Sequence, residues 1–146
     1  MPAFRNILVP VDFSDHASRA LDMAIELAKQ SNGRLHLVHS YPIPPVMLAP
    51  YDVSIPLDFE RSVREAANKQ LAAWVERVRK AGVPVESSMT AEAPSSAIVQ
   101  CAEKIGADLI VMGTRGLTGL KHVLLGSTAE RTLRLAPCPV LTLRAS

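Results

Sequence analysis

The sequence predicts a doubly wound α/β fold, in which helices cover both faces of a five-stranded parallel sheet. Short and nearly uninterrupted apolar runs recur along the chain, and such runs are typical of strands that are buried on both faces. Segments with three- and four-residue apolar spacing lie between them, as expected of helices that pack on a sheet. Regular alternation of the two favours parallel strands joined by helical crossovers.

The first half of the chain begins with an apolar run at 7–11, which predicts the first strand. Ser14 is typical of a residue that starts a helix, and an amphipathic pattern follows it until Asn32 and a glycine end the helix. A second strand is predicted at 35–41. Residues 42–56 contain five of the eleven prolines, so this stretch predicts a long irregular connection.

A long amphipathic helix follows and ends at Gly82. Its predicted buried stripe consists of Val63, Ala67, Leu71, Trp74, Val78 and Ala81. The run 83–90 alternates polar and apolar residues, which predicts a third strand at an edge of the sheet. Pro94 is favourable in the first turn of a helix and predicts the start of the third one.

The last third of the chain combines two strands, a loop and a short helix. Residues 109–112 predict a buried fourth strand, and 113–126 form a glycine-rich loop. A short helix is predicted over 127–135, followed by a last strand at 140–143. Ligands of doubly wound sheets bind beyond the carboxyl ends of the strands, where the strand order reverses. We therefore expect a site between the ends of the first and fourth strands.

Composition limits the class of protein. The chain has 146 residues, of which 48% are hydrophobic and 21% charged, with a net charge of +2. We expect a single domain over 1–146 with its own core, and the balanced charge gives no reason to expect a nucleic-acid partner. No stretch is predicted to span a membrane or to act as a secretory signal. Cys101 and Cys138 are too few for a disulfide framework or a four-cysteine metal site, so we expect a cytoplasmic protein.

The glycine-rich loop carries the clearest functional signal. Four of the seven glycines lie between Gly113 and Gly126, and no acidic residue occurs between Asp108 and Glu130. Glycines without Cβ atoms let backbone N–H groups approach an anion, and a following helix adds its positive end. We expect Ser127 to be the N-cap of that helix. The loop therefore predicts a phosphate site, and the alternative is a tight strand-to-helix loop with a capping serine.

The run Gly113-x2-Gly116-x9-Gly126-Ser127 resembles the ATP-binding signature of the universal stress protein family. The segments 7–12, 107–113 and 138–141 also resemble the first, fourth and last strands of that family. The similarity extends over essentially the whole chain. It implies a Rossmann-like sheet with strand order 3-2-1-4-5, a homodimer joined through the last strands, and ATP at the carboxyl edge.

The resemblance assigns specific residues to the nucleotide. They are Pro10, Val11, Asp12, Ser40, Met112, Gly113, Arg115, Gly116, Gly126, Ser127 and Thr128. Pro10, Val11 and Asp12 border the adenosine, and Asp12 accepts hydrogen bonds from the ribose. The segment around Ser40 lines the adenine. Met112 and Gly113 lie near the sugar and α-phosphate. The phosphates are held by Arg115, Gly116, Gly126, Ser127 and Thr128. Magnesium or manganese would be held by the phosphates themselves.

Three functions stay open at this stage. The first is an ATP-binding stress-response or signalling module that acts as a homodimer through Val140–Leu143. The second is slow ATP hydrolysis or autophosphorylation on Ser127 or Thr128, although no general base accompanies a nucleophile. The third is a dimeric interaction module without nucleotide. One departure from the family pattern is Glu92, where a glycine often precedes the third helix.

Overall fold

Five strands and four helices alternate along the parts of the chain that the computed structural model describes, residues 3–41, 57–115 and 125–144. In chain order they are β1 (Asn6–Pro10), α1 (Asp15–Ser31), β2 (Arg34–Ser40), α2 (Leu57–Lys80), β3 (Val85–Thr90), α3 (Pro94–Ile105), β4 (Leu109–Gly113), α4 (Ser127–Leu135) and β5 (Val140–Leu143). All strand pairs are parallel, and the sheet order is β3-β2-β1-β4-β5. The predicted fold class and strand order are confirmed.

Element boundaries agree with the predictions to within two residues, and the largest shift has a simple cause. The third strand begins at Val85 and not at the predicted Val83. The Val83 N–H donates to the carbonyl of Val78 at 3.4 Å, which closes the end of α2. Pro84 has no N–H to contribute to a strand ladder. The predicted irregular connection at 42–56 lies outside the described residues.

The core has one apolar layer on each face of the sheet. Ile7, Val9, Leu35, Leu37 and Val111 point to the face covered by α1 and α2 and are at most 1% exposed. The opposite face contributes a second cluster under α3 and α4, which consists of Leu8, Val38, Ile98, Ala102, Ile110, Met112 and Ala129. Successive strand residues alternate between the two clusters, as expected of strands buried on both sides.

The long helix α2 is buried along only part of its length. Its stripe packs on the sheet from Ala67 to Val78, whereas residues 59–66 are all exposed. Val63, predicted to lie in the buried stripe, is 40% exposed, and Phe59 is 48% exposed. The prediction for Val63 was wrong because the helix begins beyond the sheet that it covers. None of the helices in the described ranges is long and apolar enough to cross a membrane.

The strand ladder opens at the point where the strand order reverses. Pairing of β1 with β2 extends to Pro10, but pairing of β1 with β4 ends at Leu8 and Ile110. The Val11 N–H donates to the carbonyl of Val38 on β2 at 2.9 Å, so the preceding Pro10 nitrogen is directed toward β4. A proline nitrogen carries no hydrogen and cannot continue the ladder. The carboxyl ends of β1 and β4 therefore separate into a crevice.

Candidate functional site

The corner between β1 and α1 fixes the carboxylate of Asp12. Its Oδ1 accepts hydrogen bonds from the Ser14 N–H at 3.0 Å and from the Ser14 hydroxyl at 2.5 Å. The same Ser14 Oγ accepts from the Ala17 N–H at 3.1 Å and is the N-cap of α1, as predicted. Asp12 Oδ2 takes part in no hydrogen bond among the described residues. One carboxylate oxygen is thus used locally and the other is available to a ligand.

Three aromatic side chains, those of Phe13, His39 and Trp74, pack together at this corner. Phe13 has a φ of 64°, an unusual value for a bulky side chain. Its ring centroid is 4.5 Å from that of His39 and 5.5 Å from that of Trp74. The His39 Nδ1 is 2.7 Å from the carbonyl oxygen of Val11. Conformations of this kind cost about 1–3 kcal/mol and persist only where surrounding contacts fix them.

Ser40, predicted to lie near the adenine, is the last residue of β2 and is half-buried at the carboxyl edge. Its hydroxyl donates to the carbonyl of Glu92, and the Glu92 N–H donates to Thr90 Oγ1 at 3.1 Å. These bonds join the ends of β2 and β3 to the turn before α3. The turn therefore closes with Glu92 in the place where the family pattern often has glycine.

Gly113 ends β4, and helix α1 occupies the space beside it. A Cβ on Gly113 would lie 2.6 Å from the Cβ of His16 and 3.0 Å from its carbonyl carbon. The φ of Gly113 is not positive, so left-handed backbone is not the reason for a glycine here. Its lack of a side chain lets α1 approach β4. The predicted neighbour Met112 is 5% exposed and packs in the core on the other face.

The two ends of the glycine-rich loop meet at the start of α4. The Gly126 N–H donates to the carbonyl of Thr114 at 2.6 Å, and a Cβ on Gly126 would lie 3.1 Å from that oxygen. Gly126 is the N-cap, so the prediction that Ser127 caps the helix was wrong. No side chain caps α4, and its first intrahelical bond is donated by Glu130 to Gly126 at 3.0 Å. The N–H groups of 127–129 are therefore available to an anion.

Sequence reasoning missed Thr114, which lies between two predicted residues, Gly113 and Arg115. Thr114 is 5% exposed, and its Oγ1 is buried with no hydrogen-bond partner. Such an atom is costly to bury, so it indicates a place where polar partners are added. The only sequence signal for it is a hydroxyl residue directly after a buried apolar strand. Arg115 is half-buried at the same edge.

Part of the predicted phosphate loop lies outside the described residues. Gly116 belongs to that part, as do the two basic residues Lys121 and His122. The remaining predicted residues all lie at the carboxyl ends of β1, β2 and β4 or in the first turn of α4. Their contacts with a nucleotide stay predictions. Across the described ranges, no group of three or more His, Cys, Asp or Glu side chains is arranged to hold a metal ion.

The fold and this edge define a doubly wound, Rossmann-like α/β protein with its candidate site at the topological switch point. Residues 3–144 match the Universal stress protein family. The chain belongs to that family. A universal stress protein of Methanocaldococcus jannaschii is 36% identical over 141 residues, covering 97% of this chain and 82% of that protein. One from Thermus aquaticus is 37% identical over 143 residues, covering 97% of this chain and 99% of that protein.

Solved structures give the same result for the fold. The hypothetical protein MJ0577 superimposes with a TM-score of 0.88 at 26% identity, covering 99% of both chains. A universal stress protein from Archaeoglobus fulgidus in complex with dAMP gives a TM-score of 0.70 at 26% identity, covering 97% of this chain and 98% of that one. A universal stress protein in complex with cAMP gives 0.67 at 28% identity, covering 99% and 100%. Some structural neighbours of this chain therefore bind adenine nucleotides.

Proposed function

We propose that this chain binds ATP at the carboxyl edge of its sheet and acts as a nucleotide-dependent stress-response or signalling module. The observation that carries the proposal is the start of α4, where a helix begins at a glycine without a side-chain cap. Structural neighbours in complex with dAMP and cAMP support an adenine nucleotide as the ligand.

The phosphate end of the site is supported by charge and by unsatisfied polar groups. Backbone N–H groups of 127–129 and the buried Thr114 hydroxyl are donors without partners in the described structure. No acidic residue occurs between Asp108 and Glu130, and Arg115 adds a positive charge. A helix N-terminus contributes about 0.3–2 kcal/mol to binding an anion. In this proposal Arg115, Gly116, Gly126, Ser127 and Thr128 hold the phosphates.

The adenosine end is supported by the geometry of β1 and β2. Asp12 offers a carboxylate oxygen that accepts hydrogen bonds, which suits ribose hydroxyls. Pairing of β1 with β4 ends before Pro10, and in this proposal Pro10 and the backbone of Val11 border the crevice, since the Val11 side chain is buried. Because the Ser40 hydroxyl already donates to Glu92, we assign the adenine contact at this strand to its backbone. Met112 and Gly113 complete the edge from the side of β4.

We further propose that magnesium or manganese accompanies the nucleotide and is held mainly by its phosphates. Hard divalent cations commonly bind substrate phosphates together with few protein ligands. The described residues bring no carboxylate cluster to this edge.

The proposal includes a homodimer formed through β5. This strand lies at an edge of the sheet, and all four of its residues are half-buried. Thr114 and Ile110 donate to the carbonyls of Leu143 and Pro139, so the intervening Thr142 N–H points to the open edge. A second β5 would cover that edge. Thr142→Pro removes the outward N–H and places ring carbons at the open edge, while the bonds to β4 do not use that N–H. Sedimentation should then show a monomer, and a dimer that persists argues against pairing through β5.

The nucleotide proposal is tested by calorimetric titration of ATP into the protein and into Gly126→Asp. Aspartate is a good N-cap, so the helix should persist, while its charge meets the phosphates. We expect at least about tenfold weaker ATP binding, since one charge-assisted contact is exchanged for a repulsion. Gln100→Glu is the matched control, because Gln100 is exposed on α3 and the charge change is the same. Equal affinity of both variants, or absence of ATP binding by the unaltered protein, contradicts the proposal.

A further inference from the structure

We propose that Phe13, His39 and Trp74 form an aromatic wall that positions Asp12 to hold the ribose of the nucleotide. The inference rests on the proposed function and adds three positioning residues to it. In this role the wall acts through Asp12 and does not itself touch the nucleotide.

The residue before Asp12 is held from two sides. The Val11 N–H donates to the carbonyl of Val38 at 2.9 Å, as part of the sheet. The Val11 carbonyl is 2.7 Å from His39 Nδ1. Because a carbonyl oxygen only accepts, the His39 Nδ1 carries the hydrogen of this bond. His39 therefore fixes the carbonyl that leads directly into Asp12.

The residue after Asp12 is held by rings. Phe13 adopts a φ of 64°, which an aromatic residue does not adopt without support. The His39 ring lies 4.5 Å from the Phe13 ring with an interplanar angle of 35°, and Trp74 lies 5.5 Å away in an edge arrangement at 72°. Centroid separations in this range are those of favourable aromatic pairs. The wall thus provides the contacts that hold the left-handed backbone.

Trp74 is itself anchored to α1. The Arg77 guanidinium lies 5.5 Å from the Trp74 ring centroid. The same guanidinium donates to the Ser18 hydroxyl at 3.0 Å and to its carbonyl at 3.2 Å, and it pairs with Asp22. Arg77 is half-buried. This contact fixes Trp74 on α2 relative to the helix that begins just after Asp12.

The backbone of Phe13 decides where the Asp12 carboxylate points. Asp12 Oδ1 bonds to both the N–H and the hydroxyl of Ser14, and these bonds close a ring across Phe13. If the Phe13 backbone returned to a common conformation, Ser14 would move away from Oδ1. The carboxylate would then lose the orientation that leaves Oδ2 for the ribose hydroxyls. The wall therefore selects one orientation of Asp12 before the nucleotide arrives.

The test compares ATP with 2′,3′-dideoxy-ATP, which lacks the ribose hydroxyls. For Trp74→Leu and Phe13→Leu, we expect ATP binding to weaken about tenfold, the effect of one charge-assisted hydrogen bond. Dideoxy-ATP binding should change less than about twofold, because Asp12 makes no ribose bond to it. In an Asp12→Ala background, Trp74→Leu should cause no further loss of ATP affinity.

Controls separate positioning from general damage. Ile98→Ala removes core volume on the opposite face and should weaken both nucleotides equally or not at all. If Trp74→Leu does not fold, His39→Asn takes its place in the same comparison of the two nucleotides. His39 is half-buried, and asparagine removes the ring but keeps an N–H donor for the Val11 carbonyl.

Equal losses for both nucleotides in the wall variants overturn the inference and leave the proposed function intact. Equal binding of ATP and dideoxy-ATP by the unaltered protein also overturns the inference and leaves the proposed function intact. Failure of the unaltered protein to bind ATP overturns both proposals.

Discussion

Replacing Gly113 with alanine tests whether this glycine of the phosphate signature is required for packing. The new Cβ would lie 2.6 Å from the Cβ of His16, whereas ordinary contacts of a Cβ begin at 3.4 Å. The two Cβ atoms must therefore separate by about 0.8 Å. The Cβ of His16 is attached directly to the backbone of α1, so it moves only if the packed helix moves. Forcing extra atoms into a packed site costs about 1–3 kcal/mol. Alanine recovers about 0.5–1 kcal/mol of backbone entropy, so the clash prevails.

We expect Gly113→Ala to lower the free energy of unfolding by about 1–2 kcal/mol and Tm by about 3–6 °C. Urea unfolding followed by circular dichroism measures the first quantity, and a thermal scan measures the second. Gly126→Ala is the comparison, because its nearest contact is 3.1 Å and its φ of −70° suits alanine. It should cost less than about 1 kcal/mol. The reasoning is refuted if Gly113→Ala is as stable as the unaltered protein, or loses less stability than Gly126→Ala.

Three further predictions concern groups away from the candidate site. Burial lowers the pKa of His36 below 6.5 despite the opposing effect of Glu86, so the unfolded chain binds more protons and stability should fall as pH falls through 6.5. His36→Gln should flatten this dependence in urea unfolding at pH 7.5 and 5.5; a loss of equal size in the variant would point to another group. Burial raises the pKa of both Cys101 and Cys138, so iodoacetamide should modify them more slowly in the folded than in the unfolded protein at pH 7.5. Equal rates would contradict that. The Asp108 carboxylate accepts hydrogen bonds from the N–H groups of Arg5 and Asn6 at 2.9–3.1 Å. Asp108→Asn should therefore lower the free energy of unfolding by about 1 kcal/mol. An unchanged urea midpoint would contradict this role.

Most of the fold could be predicted because its signals are local. Apolar runs and helical spacing gave α4 at 127–135 and β5 at 140–143 with the observed bounds. Ser14 was recognised as the cap of α1 because the side chain bonds only three residues ahead. The strand order came from the resemblance to a family, since periodicity alone does not say which strands are neighbours.

The details of the candidate site depend on residues that are distant in sequence. Nothing near Gly113 indicates that His16 fills the space beside it. Gly126 and Ser127 are both acceptable N-caps, and only the backbone shows that the helix begins after the glycine. The conformation of Phe13 depends on Trp74, which lies on another helix. Local patterns carry no information about such contacts.

The exposed first part of α2, residues 59–66, is joined rigidly to the aromatic contact at Trp74. Trp74 touches Phe13 beside the crevice, and the helix continues without interruption back to its exposed residue Phe59. At 1.5 Å per residue, these two positions are about 22 Å apart along the axis. A rigid rod pivoting by about 5° at Trp74 carries its far end through about 2 Å. Any rotation of α2 about its packed segment therefore moves Phe59 further than it moves Trp74.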